Sequence, residues 1–263
     1  MRIAFWNTHN NKNINSLLVQ LIYEKQIDIM LMAEYVADIA EVKDNLNSTG
    51  RCYDTYFTEC KRIHILGNIE DVEPGFMCEY YGIHIINREI ILCSVHLPSK
   101  IVSGSESARR SIIDDIKIHI AEHKKNSDVD KVILIGDFNE NPYEKNILSI
   151  NGLAGRPVLE SVKKGTKIYY GKQVNLYYNP MWNFFGDFSC PMGTFYQKDD
   201  PETPYWNIYD QVLVSPSLAK YLDKNELQIV TQIGKCCLNN KNGKPNKRLY
   251  SDHLPIVVEL RGM

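Results

Sequence analysis

The chain has 263 residues, of which 44% are hydrophobic and 24% are charged, and its formal net charge is −2. A chain of this length and composition buries a hydrophobic core without disulfides, and it lacks the low hydrophobicity of a disordered protein. The sequence pI of about 6.4 excludes a strongly basic domain of the kind that binds nucleic acid non-specifically. Acidic groups around a divalent metal would offset basic ones, so this balance does not exclude a nuclease.

The seven cysteines are odd in number, and no two of them form a CxxC pair. This usage argues against a disulfide scaffold and against a zinc ribbon, and it favours reduced thiols in the cytoplasm. The first residues do not have the shape of a signal peptide, and no apolar run approaches the ~18 residues of a membrane span. We therefore expect a cytoplasmic protein without membrane insertion, whose oligomeric state the sequence does not indicate.

Apolar runs and helical periodicity predict the first elements of the chain. Residues 3–6 form a strand that ends in loop residues, and residues 14–22 form a helix capped by Asn13 or Asn15. A buried strand follows at 27–32, of the type found when both faces of a sheet are covered. This strand–helix–strand opening is typical of α/β proteins.

The rest of the chain predicts more strands and one long helix. The helix covers residues 107–123 and places isoleucines along one face, whereas the segment from 139 to 209 is irregular and rich in aromatic residues. Strands outnumber helices and no linker or repeat interrupts the pattern, so we predict one domain over 1–263 in which two packed sheets carry outer helices. The predicted strands are 63–66, 82–86, 90–95, 132–135, 209–215, 227–233 and 256–260.

Several polar residues share one position, because each lies at or just beyond the end of a predicted buried strand. Folds of this type assemble a site from strand ends that are far apart in the sequence. We therefore expect these side chains to form one site. They are Asn7, Glu34, His96, Asp137, Asn139, Asp252 and His253.

The carboxylates of this set suit metal-assisted cleavage of a phosphate ester. Glu34 and Asp252 supply the oxygen ligands that a hard cation such as Mg²⁺ prefers, and such a cation needs only one or two carboxylates. Asp137 can orient or deprotonate the attacking water. The carboxylates alone therefore provide a metal site and a water site.

Amides and imidazoles complete the chemistry. Asn7 and Asn139 form hydrogen bonds without adding repulsive charge. His96 and His253 can donate to phosphate oxygens near neutral pH. Asp210 can hold His253 in one tautomer, as carboxylates do for catalytic imidazoles. These groups would stabilise the charge that develops on the phosphate.

In this order the motifs resemble those of the endonuclease/exonuclease/phosphatase superfamily. The resemblance implies an α/β (α+β) fold, a four-layer sandwich of two packed, mostly antiparallel mixed β-sheets flanked by helices. It also implies a divalent-metal-dependent hydrolase of phosphoric esters. The matching blocks span nearly the whole chain and are Phe5-Trp6-Asn7, Met32-Ala33-Glu34, Ser94-Val95-His96-Leu97, Gly136-Asp137-Phe138-Asn139, Tyr209-Asp210-Gln211-Val212-Leu213 and Ser251-Asp252-His253-Leu254-Pro255.

The resemblance implies roles for the oxygen-bearing residues. Glu34 would be the principal metal ligand with Asn7 beside it, and Asp252 would bind the metal or its water. The metal would be Mg²⁺, with Mn²⁺ as a substitute. Asp137 and Asn139 would position the attacking water and the phosphate.

The resemblance also implies roles for the histidines. His96 would contact the phosphate, and Asp210 and His253 would form an acid–histidine pair. The sequence leaves open whether Asp137 or His253 is the general base.

Four positions depart from the superfamily's pattern. Ala33 stands where a glutamine usually precedes the metal-binding glutamate, and Gln211 stands where an aromatic residue or histidine is usual. His9 and His96 stand where nucleases specific for abasic sites have Asp or Asn and Tyr, respectively. These changes remove no core catalytic residue, but they leave the subfamily and the substrate open. His9 has no other supporting context and is interpreted as structural.

Basic and aromatic residues outside these blocks are candidates for substrate binding. Arg109 lies at the start of the predicted long helix and either reaches phosphate or lies on a solvated helix face. Lys247 and Arg248 belong to a polar loop that is either solvated or follows a nucleic-acid backbone. Most aromatic rings between 182 and 206 are expected in the core, and a few can line a cleft where unpaired bases stack.

Three functions are compatible with these features. The first is a nuclease that cleaves phosphodiester bonds of DNA or RNA. The second is a phosphatase or phosphodiesterase for a small phosphorylated molecule or a lipid headgroup, which the modest net charge favours. The third is a catalytically inactive binding module, which the complete set of catalytic residues disfavours.

Overall fold

The computed structural model describes residues 1–101, 104–198 and 205–263. Strands are more numerous than helices in these ranges. In chain order the elements are β1 (Arg2–Asn7), α1 (Asn15–Lys25), β2 (Ile29–Ala33), α2 (Ile39–Asn47), β3 (Asp54–Thr55), β4 (Ile63–Gly67), β5 (Val72–Met77), β6 (Tyr81–Ile86), β7 (Ile90–His96), α3 (Ser105–Ser127), β8 (Lys131–Asp137), α4 (Lys145–Leu148), β9 (Gly155–Arg156), a 3₁₀ helix (Leu159–Val162), β10 (Thr166–Tyr169), β11 (Lys172–Asn175), β12 (Tyr177–Tyr178), a second 3₁₀ helix (Pro180–Phe184), β13 (Phe195–Tyr196), β14 (Trp206–Asn207), β15 (Asp210–Val214), α5 (Pro216–Ala219), β16 (Gln228–Ile229), β17 (Gln232–Ile233), β18 (Cys236–Cys237) and β19 (Ile256–Glu259).

The first large sheet has the strand order β16-β19-β1-β2-β4-β3. β1 and β2 are parallel with Asn7 opposite Ala33, so both strands end at the same edge. β19 runs antiparallel to β1, with Phe5 opposite Ile256. This register brings the residues that precede β19 to the edge where β1 ends.

The second large sheet has the strand order β5-β6-β7-β8-β15-β12-β9. β7 and β8 are parallel, joined through α3, and place His96 opposite Asp137. β15 is antiparallel to β8 and begins with Asp210 opposite Asp137. The ends of β7 and β8 and the start of β15 therefore meet at one point.

The two large sheets pack face to face, and helices cover their outer faces. In β8, Ile133 and Ile135 lie in the core that the sheets share, whereas Val132 and Leu134 pack with Ile113 of α3. Because both faces of β8 are buried, its apolar run is uninterrupted. α1 and α2 contribute buried residues to the core of the first sheet. The predicted sandwich of two mostly antiparallel mixed sheets with outer helices is confirmed.

The long helix α3 is longer at both ends than the isoleucine spacing predicts. Its buried face carries Ile113, Ile116 and Ile120 together with Arg109. The rest of the helix is mostly polar, with Ile118 exposed among charged residues. Neither α3 nor another helix in the described ranges combines the length and apolar character that a bilayer crossing requires.

The prediction of one continuous strand over 227–233 is wrong. The structure has two short strands there, β16 paired with β19 and β17 paired with β18. The reason is a change of hydrogen-bond partner, because the Val230 N–H donates to Pro255 O and the next carbonyl, of Thr231, accepts from Leu238 N–H. The segment mixes apolar residues with Gln228, Thr231 and Gln232, and the chain leaves the large sheet in its middle.

The predicted cap of α1 is also wrong. Ile14 occupies the cap position and makes no side-chain capping bond. Asn15 is turned inward instead, where its Nδ2 donates to Asp38 O at 2.9 Å and its Oδ1 accepts from the Tyr35 hydroxyl at 2.7 Å. A buried amide with these partners is worth more to the fold than a helix cap at the surface.

Candidate active site

The predicted site residues come together at the edge where β1, β2, β7 and β8 end. The two parallel pairs each deliver a pair of strand ends to this edge. β15 begins there, and the chain enters β19 from there. The residues brought together are Asn7, Glu34, His96, Asp137, Asn139, Asp210, Asp252 and His253.

Asn7 links two carboxylates that come from different sheets. Its Nδ2 donates to Asp137 Oδ2 at 3.0 Å and lies 3.3 Å from Glu34 Oε1. Its Oδ1 accepts from the backbone N–H of His9 at 3.1 Å. The buried amide therefore holds Glu34 and Asp137 near each other without adding charge between two acidic groups.

Asp210 and His253 form a buried pair. His253 Nδ1 lies 2.8 Å from Asp210 Oδ2, and His253 Nε2 lies 3.9 Å from Asp137 Oδ2. Burial alone would lower the pKa of His253, but the carboxylates of Asp210, Asp137 and Asp252 outweigh it and raise that pKa to about 10. Burial raises the pKa of Asp210 as well, so the pair binds one proton tightly and holds it between the two groups.

Four contacts hold the His253 segment in place. The Trp6 Nε1–H donates to His253 O at 3.0 Å, and the His253 N–H donates to Ser251 Oγ at 3.0 Å. The Ser251 hydroxyl donates in turn to Asn7 O at 2.7 Å. The ring of Phe195 lies against the imidazole, with centroids 4.7 Å apart. Trp6, Ser251 and Phe195 are thus supporting residues.

Backbone conformation is strained next to the metal-binding candidate. Glu34 has φ 48°, in the left-handed region that non-glycine residues rarely occupy at a cost of about 1–3 kcal/mol. The Thr8 hydroxyl contacts both Glu34 O at 2.9 Å and Ala33 O at 3.1 Å. These bonds hold the turn that points the Glu34 side chain into the site.

Asn139 also has a left-handed backbone, with φ 50°. Its N–H donates to Asp137 Oδ1 at 2.9 Å, and its Nδ2 donates to Leu97 O at 2.9 Å. The glycine before this turn is required, because a Cβ on Gly136 would lie 1.9 Å from Val95 O. One amide hydrogen of Asn139 is thus used to fix the loop, and the second is available for the predicted contact with water or phosphate.

His96 lies between the two carboxylates that Asn7 links. Its Nε2 is 3.7 Å from Glu34 Oε1 and 3.9 Å from Asp137 Oδ2. Its Nδ1 is buried and makes no hydrogen bond to the described residues. The imidazole is therefore held by packing rather than by a partner, with Nε2 directed toward the acidic groups.

His9, interpreted from the sequence as structural, lies beside two of the predicted metal ligands. Its Nδ1 is 3.2 Å from Asp252 Oδ1 and 3.8 Å from Glu34 Oε2. Asn10 follows it and donates to Glu34 Oε2 at 3.0 Å. Both residues have left-handed backbones, with φ 50° and 54°, which turn the loop after β1 toward Glu34. The departure from Asp or Asn two residues after Asn7 was the sequence signal for this position.

The chemistry of the donor set fits a hard divalent cation near Glu34. Glu34 and Asp252 offer carboxylate oxygens, whereas the predicted ligand Asn7 turns Nδ2 toward Glu34 and uses its amide oxygen to accept from the His9 N–H. Asp252 Oδ1 is buried and makes no hydrogen bond of normal geometry to the described residues. A buried carboxylate oxygen in this state lacks the partner that such atoms usually have, and a cation would supply it.

A second cluster of possible ligands consists of Asp137, Asp210 and His253, whose ligand atoms lie within 4.8 Å of one another. The hydrogen bond between Asp210 Oδ2 and His253 Nδ1 already uses two of those atoms. A metal ion at this cluster would have to compete with that hydrogen bond.

Lys247 lies at the rim of the site, where its Nζ donates to Asp252 Oδ2 at 3.0 Å. Arg248 follows it in the loop that precedes Ser251, and both basic side chains are exposed.

The two roles predicted for Arg109, contact with phosphate and a place on a solvated helix face, do not agree with its position in the structure. The residue is only 4% exposed, so it neither reaches substrate phosphate nor lies on a solvated helix face. Its Nε donates to Glu140 Oε1 at 2.8 Å, and its Nη1 donates to Pro98 O at 3.1 Å and Ser105 Oγ at 2.9 Å. Arg109 is a structural residue that holds the loop after β7 to the start of α3.

Comparisons with known proteins identify structural neighbours. No family model and no curated protein matches the chain. An AP endonuclease from Archaeoglobus fulgidus is 17% identical and has a TM-score of 0.58, and the alignment covers 99% of each chain. An endonuclease/exonuclease/phosphatase family protein from Bacteroides thetaiotaomicron is 15% identical, with a TM-score of 0.57 over 99% of this chain and 97% of that one. A mannosyl-6-phosphatase from the same organism is 15% identical, with a TM-score of 0.57 over 99% of both chains. These similarities establish the fold.

Proposed function

The chain has the fold of the endonuclease/exonuclease/phosphatase superfamily, and we propose that it is a divalent-metal-dependent hydrolase of phosphodiester bonds in DNA or RNA. The observation that carries the proposal is the series of contacts from Glu34 through Asn7 and Asp137 to His253 and Asp210. One end offers a carboxylate suited to a metal, and the other offers an acid–histidine pair. Hydrolysis of a phosphoester needs both.

The gap between His253 and Asp137 has room for the reacting oxygen atom. A single oxygen atom at hydrogen-bond distance from His253 Nε2 and Asp137 Oδ2 would bridge their separation of 3.9 Å. In this proposal Asp137 accepts the proton of the attacking water as its oxygen bonds to phosphorus and the bond to the leaving oxygen breaks. His253 donates from Nε2 to this same oxygen atom, and Asp210 holds the imidazole in that orientation.

The other residues would bind the phosphate and the cation. Glu34 and Asp252 would hold Mg²⁺, for which Mn²⁺ can substitute, and Asn7 would fix Glu34 beside it through its amide. The bound cation would neutralise charge on the phosphate. His96 would donate from Nε2 to a phosphate oxygen, as its position near Glu34 and Asp137 supports.

An aromatic hairpin beside the site favours a nucleic-acid substrate. β13 begins with Phe195, whose ring contacts His253. It pairs with β14, so that Tyr196 lies opposite Trp206. The ring of Tyr196 stacks on Tyr205 with centroids 6.1 Å apart, and Tyr205 is 59% exposed. The exposed ring of Tyr205 and the partly exposed rings of Tyr196 and Trp206 suit stacking on unpaired bases.

Basic residues near the hairpin support the same substrate. Lys244 Nζ lies 3.8 Å from the ring centroid of Tyr196, and the exposed Lys247 and Arg248 follow in the same loop. A positively charged groove with stacking rings is the usual arrangement for single-stranded nucleic acid. We propose that these residues follow the phosphate backbone.

The alternative is a phosphatase or phosphodiesterase for a small phosphorylated molecule or a lipid headgroup. The net charge of −2 favours it, since a nucleic-acid enzyme usually has a more basic surface. The similarity in fold to a mannosyl-6-phosphatase is compatible with it. An inactive binding module is disfavoured by the complete set of contacts around Asp137.

A metal-dependent cleavage panel tests the proposal. Wild type and His253→Ala would be incubated with single- and double-stranded DNA, RNA, abasic DNA and a small bis-phosphodiester, with Mg²⁺, with Mn²⁺ or with EDTA. We expect cleavage of nucleic acid that needs the metal and that His253→Ala lowers by orders of magnitude. Tyr170→Ala, at an exposed turn between β10 and β11, is the control for handling of the protein.

Two results of this panel would contradict the proposal. Turnover that EDTA does not affect would exclude the metal mechanism. Cleavage of the small ester alone would replace the nuclease with the alternative enzyme. A parallel comparison of Tyr205→Ala with Tyr170→Ala, two exposed tyrosines, asks whether the aromatic hairpin matters for nucleic-acid KM.

A further inference from the structure

We propose that His9 is a nitrogen ligand of the metal centre and that it makes the site prefer Mn²⁺ to Mg²⁺. The inference rests on the proposed function, because it concerns the cation of the same site. It goes beyond that function by assigning a residue that departs from the oxygen donors of the superfamily's pattern. The consequence is a metal selectivity particular to this chain.

The distances around His9 resemble those between ligands of one ion. Its Nδ1 lies 3.2 Å from Asp252 Oδ1 and 3.8 Å from Glu34 Oε2. In an octahedral site with bonds of about 2.1 Å, adjacent donors lie about 3 Å apart and opposite donors about 4.2 Å apart. Both separations fall within that range. His9 therefore already has ligand-like spacing to both carboxylates predicted to bind the metal.

The backbone holds His9 in this position. Its N–H donates to Asn7 Oδ1 at 3.1 Å, and its φ of 50° is left-handed. The next residue, Asn10, is bonded through Nδ2 to Glu34 Oε2 at 3.0 Å. Two consecutive residues of this loop are thus fastened to the site, which is the preorganisation that a ligand needs.

A role as a simple counter-ion explains His9 less well. Asp252 already has a cationic partner, because Lys247 Nζ lies 3.0 Å from Asp252 Oδ2. Asp252 Oδ1 is the oxygen that faces His9, and it makes no hydrogen bond of normal geometry to the described residues. A cation held jointly by His9 Nδ1 and Asp252 Oδ1 would give that buried oxygen its partner.

The chemistry of the donors predicts which cation benefits. Carboxylate and amide oxygens suit Mg²⁺ and Mn²⁺ alike, whereas an imidazole nitrogen favours transition metals. Mg²⁺ also gives up its water ligands reluctantly. Replacing one oxygen donor by His9 therefore shifts the preference of the site from Mg²⁺ to Mn²⁺.

The test measures metal binding rather than turnover. The 263-residue chain would be freed of metal and titrated with Mn²⁺, and pulsed electron paramagnetic resonance would detect coupling of the bound ion to ¹⁴N. Competition with Mg²⁺ would give the ratio of affinities. The variants are His9→Asp and His9→Asn. A third variant, His96→Asn, tests whether the other imidazole near Glu34 binds the metal instead. His123→Gln, in α3, is a histidine control, and circular dichroism would verify folding of each variant.

We expect ¹⁴N coupling in the wild type and in His123→Gln and its loss in both His9 variants. The Mn²⁺-to-Mg²⁺ affinity ratio should fall by about tenfold or more in His9→Asp, which restores an oxygen donor. Coupling that survives in the His9 variants but disappears in His96→Asn would overturn the proposal. Mn²⁺ binding without ¹⁴N coupling in the wild type would also overturn it, while leaving the proposed function intact. Failure to bind Mn²⁺ at all would contradict both.

Discussion

Asp210 Oδ2 lies 2.8 Å from His253 Nδ1, and this hydrogen bond decides which imidazole nitrogen faces Asp137. With Nδ1 used by Asp210, Nε2 is directed toward Asp137 Oδ2 at 3.9 Å. Both members of the pair are buried, so water cannot readily replace the bond. The orientation of His253 therefore depends on Asp210.

The first prediction concerns this dependence. Asp210→Asn should lower kcat by about 10²–10⁴ with little change in KM, because the amide removes the charge and can select the wrong tautomer of His253. Steady-state kinetics on the best substrate of the cleavage panel would measure the effect. Asp223→Asn is a matched control, since Asp223 pairs with Arg261 away from the site. An Asp210→Asn enzyme with wild-type kcat would refute the positioning role.

The second prediction concerns protonation of His253. In metal-free protein its pKa should be raised from the usual ~6.5 to about 10, because the carboxylates of Asp210, Asp137 and Asp252 outweigh the effect of burial. A raised folded-state pKa contributes stability that is fully present below about pH 6.5 and is lost as the pH rises through about 10. Imidazole ¹⁵N spectra recorded with EDTA would follow the titration.

The Asp210→Asn variant provides the comparison for this titration. Loss of the nearest carboxylate should move the midpoint of His253 toward neutral pH. A midpoint near 6.5 in the wild-type protein would show that the surrounding charge does not hold the proton.

The third prediction separates Arg109 from substrate binding. Arg109→Ala leaves Glu140 buried without its partner, so the free energy of unfolding should fall by about 3–5 kcal/mol. Denaturant titration would measure this loss, and KM of the folded variant should equal that of the wild type. A raised KM with unchanged stability would restore Arg109 as a substrate residue.

The fourth prediction concerns the rim. If the substrate is nucleic acid, Arg248→Ala should reduce the slope of log affinity against log salt concentration by about 1, because one phosphate contact is lost. Fluorescence anisotropy with EDTA present would give the slopes without cleavage. Lys167→Ala, an exposed change on β10, should leave the slope unchanged. Equal slopes for wild type and Arg248→Ala would favour the small-ester alternative.

The large elements and the site edge could be predicted from the sequence because burial dictates both. Val132 to Ile135 is apolar throughout since both faces of β8 are covered, and the buried Asp137 ends the strand at the edge of the sheet. A charged residue is rare in a run that is buried on both faces, so the point where the apolar run stops marks the site. Glu34 after β2 obeys the same rule.

Other features depend on tertiary contacts that no local pattern contains. Arg109 looks like a surface residue until Glu140, which is 31 positions away, supplies its buried partner. His9 enters the site because Asn7 and Asn10 fasten its loop to Glu34. The strand predicted at 227–233 is divided in two because Val230 and Thr231 bond to different segments.

The bond from Trp6 to His253 joins residues that are 247 positions apart, and the bond from Ser251 to Asn7 joins residues that are 244 apart. Closing such long loops is slow, so contacts of this kind form late in folding. A partly folded chain that already has α1 and β8 would possess Asp137 but no correctly placed imidazole. Recovery of activity during refolding would therefore report completion of the native topology rather than formation of secondary structure.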